Sequence, residues 1–116
     1  MSDNFQLIHD AIVNKQQIIA DYLGHTRYLC PHALGYKNGR EQCLFYQFGG
    51  TSEAGLGPAG SPANWRCIPV EGLSDIRVLD GAWHSARSFS RAQTCVKQVV
   101  VSIDQPGGSV VTRRTA

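Results

Sequence analysis

The chain has 116 residues, 42% of them hydrophobic and 17% charged, with a formal net charge of +2. That is one domain's worth of sequence, long enough to bury a core, and it excludes a disordered chain, a coiled coil and a histone-like polycation. No run of about 18 apolar residues is present to span a membrane, and no cofactor motif stands out.

The start, Met1-Ser2-Asp3-Asn4, is acidic and lacks the basic and apolar regions of a signal peptide, so a cytoplasmic location is expected. Cys30, Cys43, Cys67 and Cys95 are scattered singly, and in a reducing compartment all four are expected to be thiols. A helix is predicted over about residues 3–14. Asp3 is the expected N-cap, and Phe5, Ile8 and Ile12 recur at helical spacing to give one apolar stripe. The period then changes. Ile18 to Tyr22 reads as a strand, Leu23-Gly24-His25 as a turn, and Thr26 to Cys30 as the returning strand. Pro31, with no N–H to donate, is expected to end that pairing or sit at an edge, and Ala33 to Tyr36 resumes extended structure.

Asn38-Gly39 is a strong hairpin signal, because a type I′ turn needs positive φ at both central residues. Its second strand runs from Glu41 to Phe48. Gly49 to Asn64 is rich in Gly and Pro and is expected to be a long flexible loop. Trp65 to Val70 and Ile76 to Leu79 read as strands around a turn at Glu71 to Ser74. Trp83 to Ala92 is polar and irregular. Val96 to Ile103 is a β-branched run expected to form the last strand, and residues 104–116 read as a flexible tail. One helix and five or six short strands over residues 1–103 predict a mainly β single domain, a small barrel capped by the helix.

Tyr46, Gln47, Trp65 and Arg66 flank the long loop. Aromatic rings stack on bases and Arg pairs bidentately with phosphate or carboxylate, so these four could form a site for a nucleotide or acidic ligand. The plainer alternative makes Tyr46 and Trp65 core residues and Arg66 a solvated strand residue. His32, next to the expected strand break, is either a pocket donor or a turn cap. Zinc is not expected, since no two cysteines are close and Cys30-Pro31-His32 is a single weak pair beside His9, His25 and His84. Catalysis is not expected either. Ser61, Ser85 and the cysteines have no base and orienter near them in sequence, so only spatial proximity could supply a dyad. Gly55-Leu56-Gly57 lacks the third Gly and the helix of a dinucleotide fingerprint.

In order along the chain, Ala11-Ile12, Tyr22, Arg27, Pro31-His32-Ala33-Leu34-Gly35, Gly39, Tyr46 and Arg66-Cys67-Ile68-Pro69-Val70-Glu71-Gly72-Leu73 resemble the landmarks of the WYL domain, an SH3/Sm-like β-barrel often attached to bacterial helix-turn-helix regulators. Tyr46-Gln47-Phe48-Gly49-Gly50 before a Gly-rich loop and a Trp resembles the short stand-alone members. The eponymous triplet is replaced by Gln42-Cys43-Leu44, and a basic position by Gly72. The resemblance implies a non-catalytic ligand-sensing or regulatory module of five to six strands. Arg27, Tyr46 and Arg66 would contribute to a basic and aromatic pocket for a small anionic ligand, a nucleotide or nucleic acid. With no room for a helix-turn-helix before Ile18, regulation of transcription would need another chain. The alternative is a protein–protein module, forming a homodimer through an edge near Pro31 or through the strand Val96 to Ile103.

Overall fold

The computed structural model describes residues 2–87, 89 and 94–104, so the expected tail lies outside the described residues beyond Asp104, as does part of the irregular stretch before Cys95. Helix α1, Asp3–Val13, forms where the stripe predicts, and Phe5, Ile8, Ala11 and Ile12 are buried along it. Its cap is Ser2, one residue earlier than expected. Ser2 Oγ accepts from the Phe5 N–H at 3.1 Å and donates at 2.6 Å to Glu41, which also receives the Ser2 N–H at 2.9 Å. The helix start is thereby pinned to the sheet, and Asp3 sits in the first turn, where its charge still suits the helix dipole.

Six strands follow: β1 (Gln17–Tyr22), β2 (His25–Lys37), β3 (Arg40–Gly50), β4 (Trp65–Pro69), β5 (Ser74–Leu79) and β6 (Gln98–Ser102). They form one antiparallel sheet in the order β4-β3-β2-β1-β5, with β6 added on β2. The protein is therefore mainly β with one N-terminal helix. The outermost strands of the path, β4 and β5, do not pair with each other. Asn38 and Gly39 have φ of 53° and 77°, as a type I′ turn requires, and Leu23 and Gly24 repeat that geometry at 51° and 78°.

Pro31 marks the end of one pairing but not of the strand: β1 pairs with β2 only as far as Leu29, while β2 runs on through Pro31. It lies inside β2, a central strand, paired with Phe45 of β3. The other side of β2 explains how a residue without an N–H fits there. β1 pairs with His25 to Leu29 and β6 with Ala33 to Tyr36, so Pro31 falls in the gap between two partners, where no ladder bond is demanded on that side. The last strand is shorter than expected, β6 running from Gln98 to Ser102.

The strand alternation of period two sorts side chains to two faces. On one, α1 packs with Ile18, Leu29, Leu34, Cys43, Phe45, Ile68, Val70 and Val101. On the other, Ala33, Leu44 and Trp65 pack with Phe89, Cys95 and Val96 from the segment before β6. That segment is bound to β4 by a Cys67–Cys95 disulfide with the Cα atoms 5.6 Å apart. The expectation of four thiols thus fails at two of them, because residues 28 apart in sequence meet only through the tertiary fold. Cys30 and Cys43 are free and buried. No helix among the described residues is long and apolar enough to cross a membrane.

Candidate functional site

The six residues singled out from the sequence do not converge on one pocket. Tyr46 and Gln47 are neighbours on β3, and Trp65 and Arg66 neighbours on β4, so each pair points to opposite faces. Arg27, Gln47 and Arg66 meet on one face, and His32, Tyr46 and Trp65 on the other.

On the first face, Gln47 is wholly buried. Its Oε1 accepts from Arg27 Nη1 at 3.3 Å and from Arg66 Nε at 3.2 Å, while its Nε2 donates to the carbonyls of Gly49 and Thr51. Arg66 Nη1 donates to the carbonyls of Ala63 (2.7 Å) and Trp65 (3.0 Å). Its Nη2 donates to Ser52 Oγ (3.3 Å) and the Gly55 carbonyl (2.9 Å). A guanidinium has five N–H groups, and all five are engaged by protein oxygens. Arg66 is neither a solvated strand residue nor free to grip an anion; it is the latch that shapes the Gly-rich loop. Arg27, only 4% exposed, also lies over the Tyr22 ring at 5.1 Å. Desolvation by burial holds both guanidinium pKa values below the usual range, and for Arg66 the charge of Arg27 adds to it. Gly72, standing where the resemblance expects a basic residue, explains itself here: a Cβ would come within 2.7 Å of the Tyr22 ring.

Two β-bulges build the second face. Between Pro31 and Ala33 the register with β3 slips, leaving His32 as the extra residue on β2; between Tyr28 and Leu29 it slips again, leaving Phe48 extra on β3. Bulges redirect side chains. His32 enters an aromatic enclosure, with ring centroids of Trp65 at 4.8 Å, Trp83 at 5.1 Å, Phe89 at 5.4 Å and Tyr46 at 6.5 Å, and is wholly buried. Its Nδ1 lies 2.8 Å from the Cys30 carbonyl and its Nε2 2.8 Å from Ser85 Oγ. Burial pushes its pKa down to about 4, outweighing the opposite pull of the Cys30 carbonyl, with Lys15 adding a small repulsion. The imidazole is therefore neutral near pH 7. A carbonyl only accepts, so Nδ1 carries the proton and Nε2 accepts from the Ser85 hydroxyl.

Beside this enclosure opens a cleft of about 280 Å³. Tyr46 and Phe48 of β3 border it, with Leu56, Gly57 and Asn64 of the loop and Trp83, His84 and Ser85 of the segment after β5. Phe48 and His84 stack nearly parallel, centroids 4.2 Å apart at 13°. The loop wall is held by Asn64, 1% exposed. Its Oδ1 accepts from the Gly57 N–H at 2.7 Å, and its Nδ2 donates to the carbonyls of Gly57 and Pro58 and to Tyr46 Oη. Tyr46 in turn donates to the Ser61 carbonyl at 2.8 Å. The stretch expected to be flexible is thus tied down from both faces, by Arg66 and by Asn64.

A hollow of about 420 Å³ surrounds the Asn38-Gly39 turn beside Lys37, Arg40 and Gln42. Its groups are exposed or half-buried and Arg40 already pairs with Glu71, so it encloses nothing. Burial raises the Cys30 thiol to about 11 and the Cys43 thiol well above its ordinary value, which leaves neither a reactive thiolate. No group of three or more metal-ligating side chains occurs among the described residues.

Phe48, Asn64, Trp83 and Phe89 were not singled out from the sequence, and His84 and Ser85 only as a metal ligand and a nucleophile. The one local signal was Trp83-His84 in a polar stretch, since a Trp there needs a place to bury. The chain matches no family model, no curated protein and no solved structure.

Proposed function

We propose that the chain is a non-catalytic ligand-binding module whose ligand is a planar ring compound of nucleobase or nucleoside size, held in the cleft between the Gly-rich loop and Trp83-His84-Ser85. The observation that carries it is the cleft itself: aromatic walls, a few placed polar groups, and a volume of about 280 Å³, just under the usual range for small-molecule pockets. The frame is read as a small SH3/Sm-like barrel of the WYL kind, on the strength of the four-strand meander β1 to β4 with β5 returning beside β1, the long β2 and the capping helix. The ligand differs from the anionic one that the resemblance implies in needing no negative charge. Arg66 is spent on the loop and Arg27 lies on the opposite face, so among the described residues no arginine borders the cleft. The expected cytoplasmic setting belongs to the same proposal and stands in tension with the Cys67–Cys95 bridge, because cytosolic thiol systems keep such pairs reduced.

The test is titration of the protein with adenosine and guanosine, followed by Trp fluorescence and calorimetry, alongside Ala59→Trp, which fills the cleft from its loop side. Binding is expected in wild type and loss in the variant. No binding at millimolar nucleoside, or equal binding by the filled variant, refutes the site.

One observation favours an enzyme instead: Ser85 and His32 lie within hydrogen-bond reach, with the Cys30 carbonyl orienting the imidazole, as a nucleophile–base pair requires. Against it, a base must carry the proton transiently, and this buried ring has aromatic neighbours and, among the described residues, no carboxylate to stabilise an imidazolium. Labelling of Ser85 by a fluorophosphonate would establish the enzyme reading. A dimerisation module is favoured only by β6, which pairs with β2 alone among the described residues and exposes Val99. A monomer by light scattering at high concentration removes it.

A further inference from the structure

We infer that the cleft selects ligands bearing an amino N–H, because His32 fixes the Ser85 hydroxyl as a pure acceptor toward it. This deepens the proposed function and rests on the cleft being the ligand site.

A free serine hydroxyl rotates to suit its partner and recognises donors and acceptors alike. Ser85 has lost that freedom. The Cys30 carbonyl can only accept, so the neutral His32 ring must place its one proton on Nδ1. Nε2 is then a lone pair buried in an aromatic enclosure, 2.8 Å from Ser85 Oγ, and leaving it unpaired would cost a buried acceptor its only partner. The competing acceptor for the hydroxyl proton, the Ala86 carbonyl, lies at 3.5 Å, too far to compete. With its single proton committed inward, Ser85 Oγ offers only lone pairs outward.

The other side-chain polar groups bordering the cleft do not offset this bias: Trp83 Nε1, a donor, is buried without a hydrogen-bond partner among the described residues and presents nothing at the cleft surface. Tyr46 Oη is engaged by Ser61 and Asn64, and both ends of the Asn64 amide are engaged by Gly57, Pro58 and Tyr46. His84 stacks on Phe48, and among the described residues no hydrogen bond fixes the polarity of its ring nitrogens as one does for Ser85. The fixed acceptor thus decides between ligands of equal shape: a planar heterocycle with an exocyclic amine donates to Ser85, whereas one with only ring nitrogens or a carbonyl there sets lone pair against lone pair. His32 touches no ligand in this scheme; it is a positioning residue acting through Ser85.

The experiment compares adenosine and 2-aminopurine riboside with purine riboside, which lacks the amine, on wild type, Ser85→Ala and His32→Phe. Wild type is expected to bind at least one amino ligand roughly 3- to 10-fold more tightly than purine riboside, the span of one neutral hydrogen bond. In Ser85→Ala that ratio falls to about one. In His32→Phe, which keeps an aromatic ring in the enclosure but accepts no hydrogen bond, the freed hydroxyl can donate, so purine riboside gains relative to the amino ligands. A purely structural role for His32 would weaken all three ligands together and leave their ratio unchanged. Equal wild-type binding of amino and des-amino ligands, or a ratio that survives Ser85→Ala, overturns the inference while leaving the cleft as the site. Failure of all three ribosides to bind wild type overturns both.

Discussion

Acid should unfold this protein through one buried ring. His32 is wholly enclosed, and its pKa is pushed down from 6.5 to about 4, chiefly by burial. The unfolded chain therefore binds a proton in the range where the folded chain does not. Stability is fully present above pH 6.5 and declines as the pH falls toward 4, below which the folded ring is protonated too and this contribution levels off. At about 1.4 kcal/mol per pH unit over that interval, the total loss is on the order of 3 kcal/mol, a large share of a small domain's stability. The charged side chain acting on the ring is Lys15, whose effect has the same sign; no carboxylate among the described residues is close enough to oppose it. The assay is urea unfolding from pH 7.5 to 4, with wild type beside His32→Gln, which carries no titrating group. The variant is expected to be less stable at pH 7 but to show a shallower fall. Parallel curves for the two proteins, or an imidazole that titrates near 6.5 by NMR, would refute the reasoning.

Three further outcomes follow from the same geometry. Arg66→Ala should cost about 1–2 kcal/mol in urea unfolding and speed amide exchange at Gly55, and Arg66→Lys should rescue little, because an ammonium cannot reach Gln47, Ala63 and Gly55 together; a lysine variant as stable as wild type counts against the latch. Reducing Cys67–Cys95, or Cys67→Ser, should lower stability by about 3–4 kcal/mol, as closing a chain loop across 28 residues implies, and a melting temperature indifferent to dithiothreitol would contradict the bridge. Gly35→Ala should destabilise by more than about 2 kcal/mol and expose β6 to exchange, because a Cβ there collides with the Gln98 carbonyl and Val96; a wild-type melt for that variant would show that β6 does not lie against β2.

Much of the framework was legible because it depends on local chemistry. The stripe of Phe5, Ile8 and Ile12 specified a helix face, and Asn38-Gly39 specified a hairpin, since positive φ is a property of two residues and their immediate backbone. The cap moved from Asp3 to Ser2 because a long-range partner, Glu41, holds the serine. Pro31 was legible as the limit of the β1 pairing but not as an interior residue of a central strand. Whether a missing N–H matters depends on what lies beside it, and that is set by where β1 ends and β6 begins.

The site was less legible. Tyr46-Gln47 and Trp65-Arg66 look like one cluster along the chain, yet strand alternation sends the aromatic and the polar member of each pair to opposite faces. Composition marked Gly49 to Asn64 as loose, but the five N–H groups of Arg66 and the amide of Asn64 give it a fixed shape. By itself, the sequence determined the mainly β class, the N-terminal helix, the hairpins and the place of the long loop, all of which are encoded within a few residues. The tertiary structure alone decided that Cys67 meets Cys95, that His32 is enclosed and orients Ser85, and that Trp83 closes a cleft against Phe48 and the loop. Those partners are separated by tens of residues, and only packing of the sheet's second face brings them together.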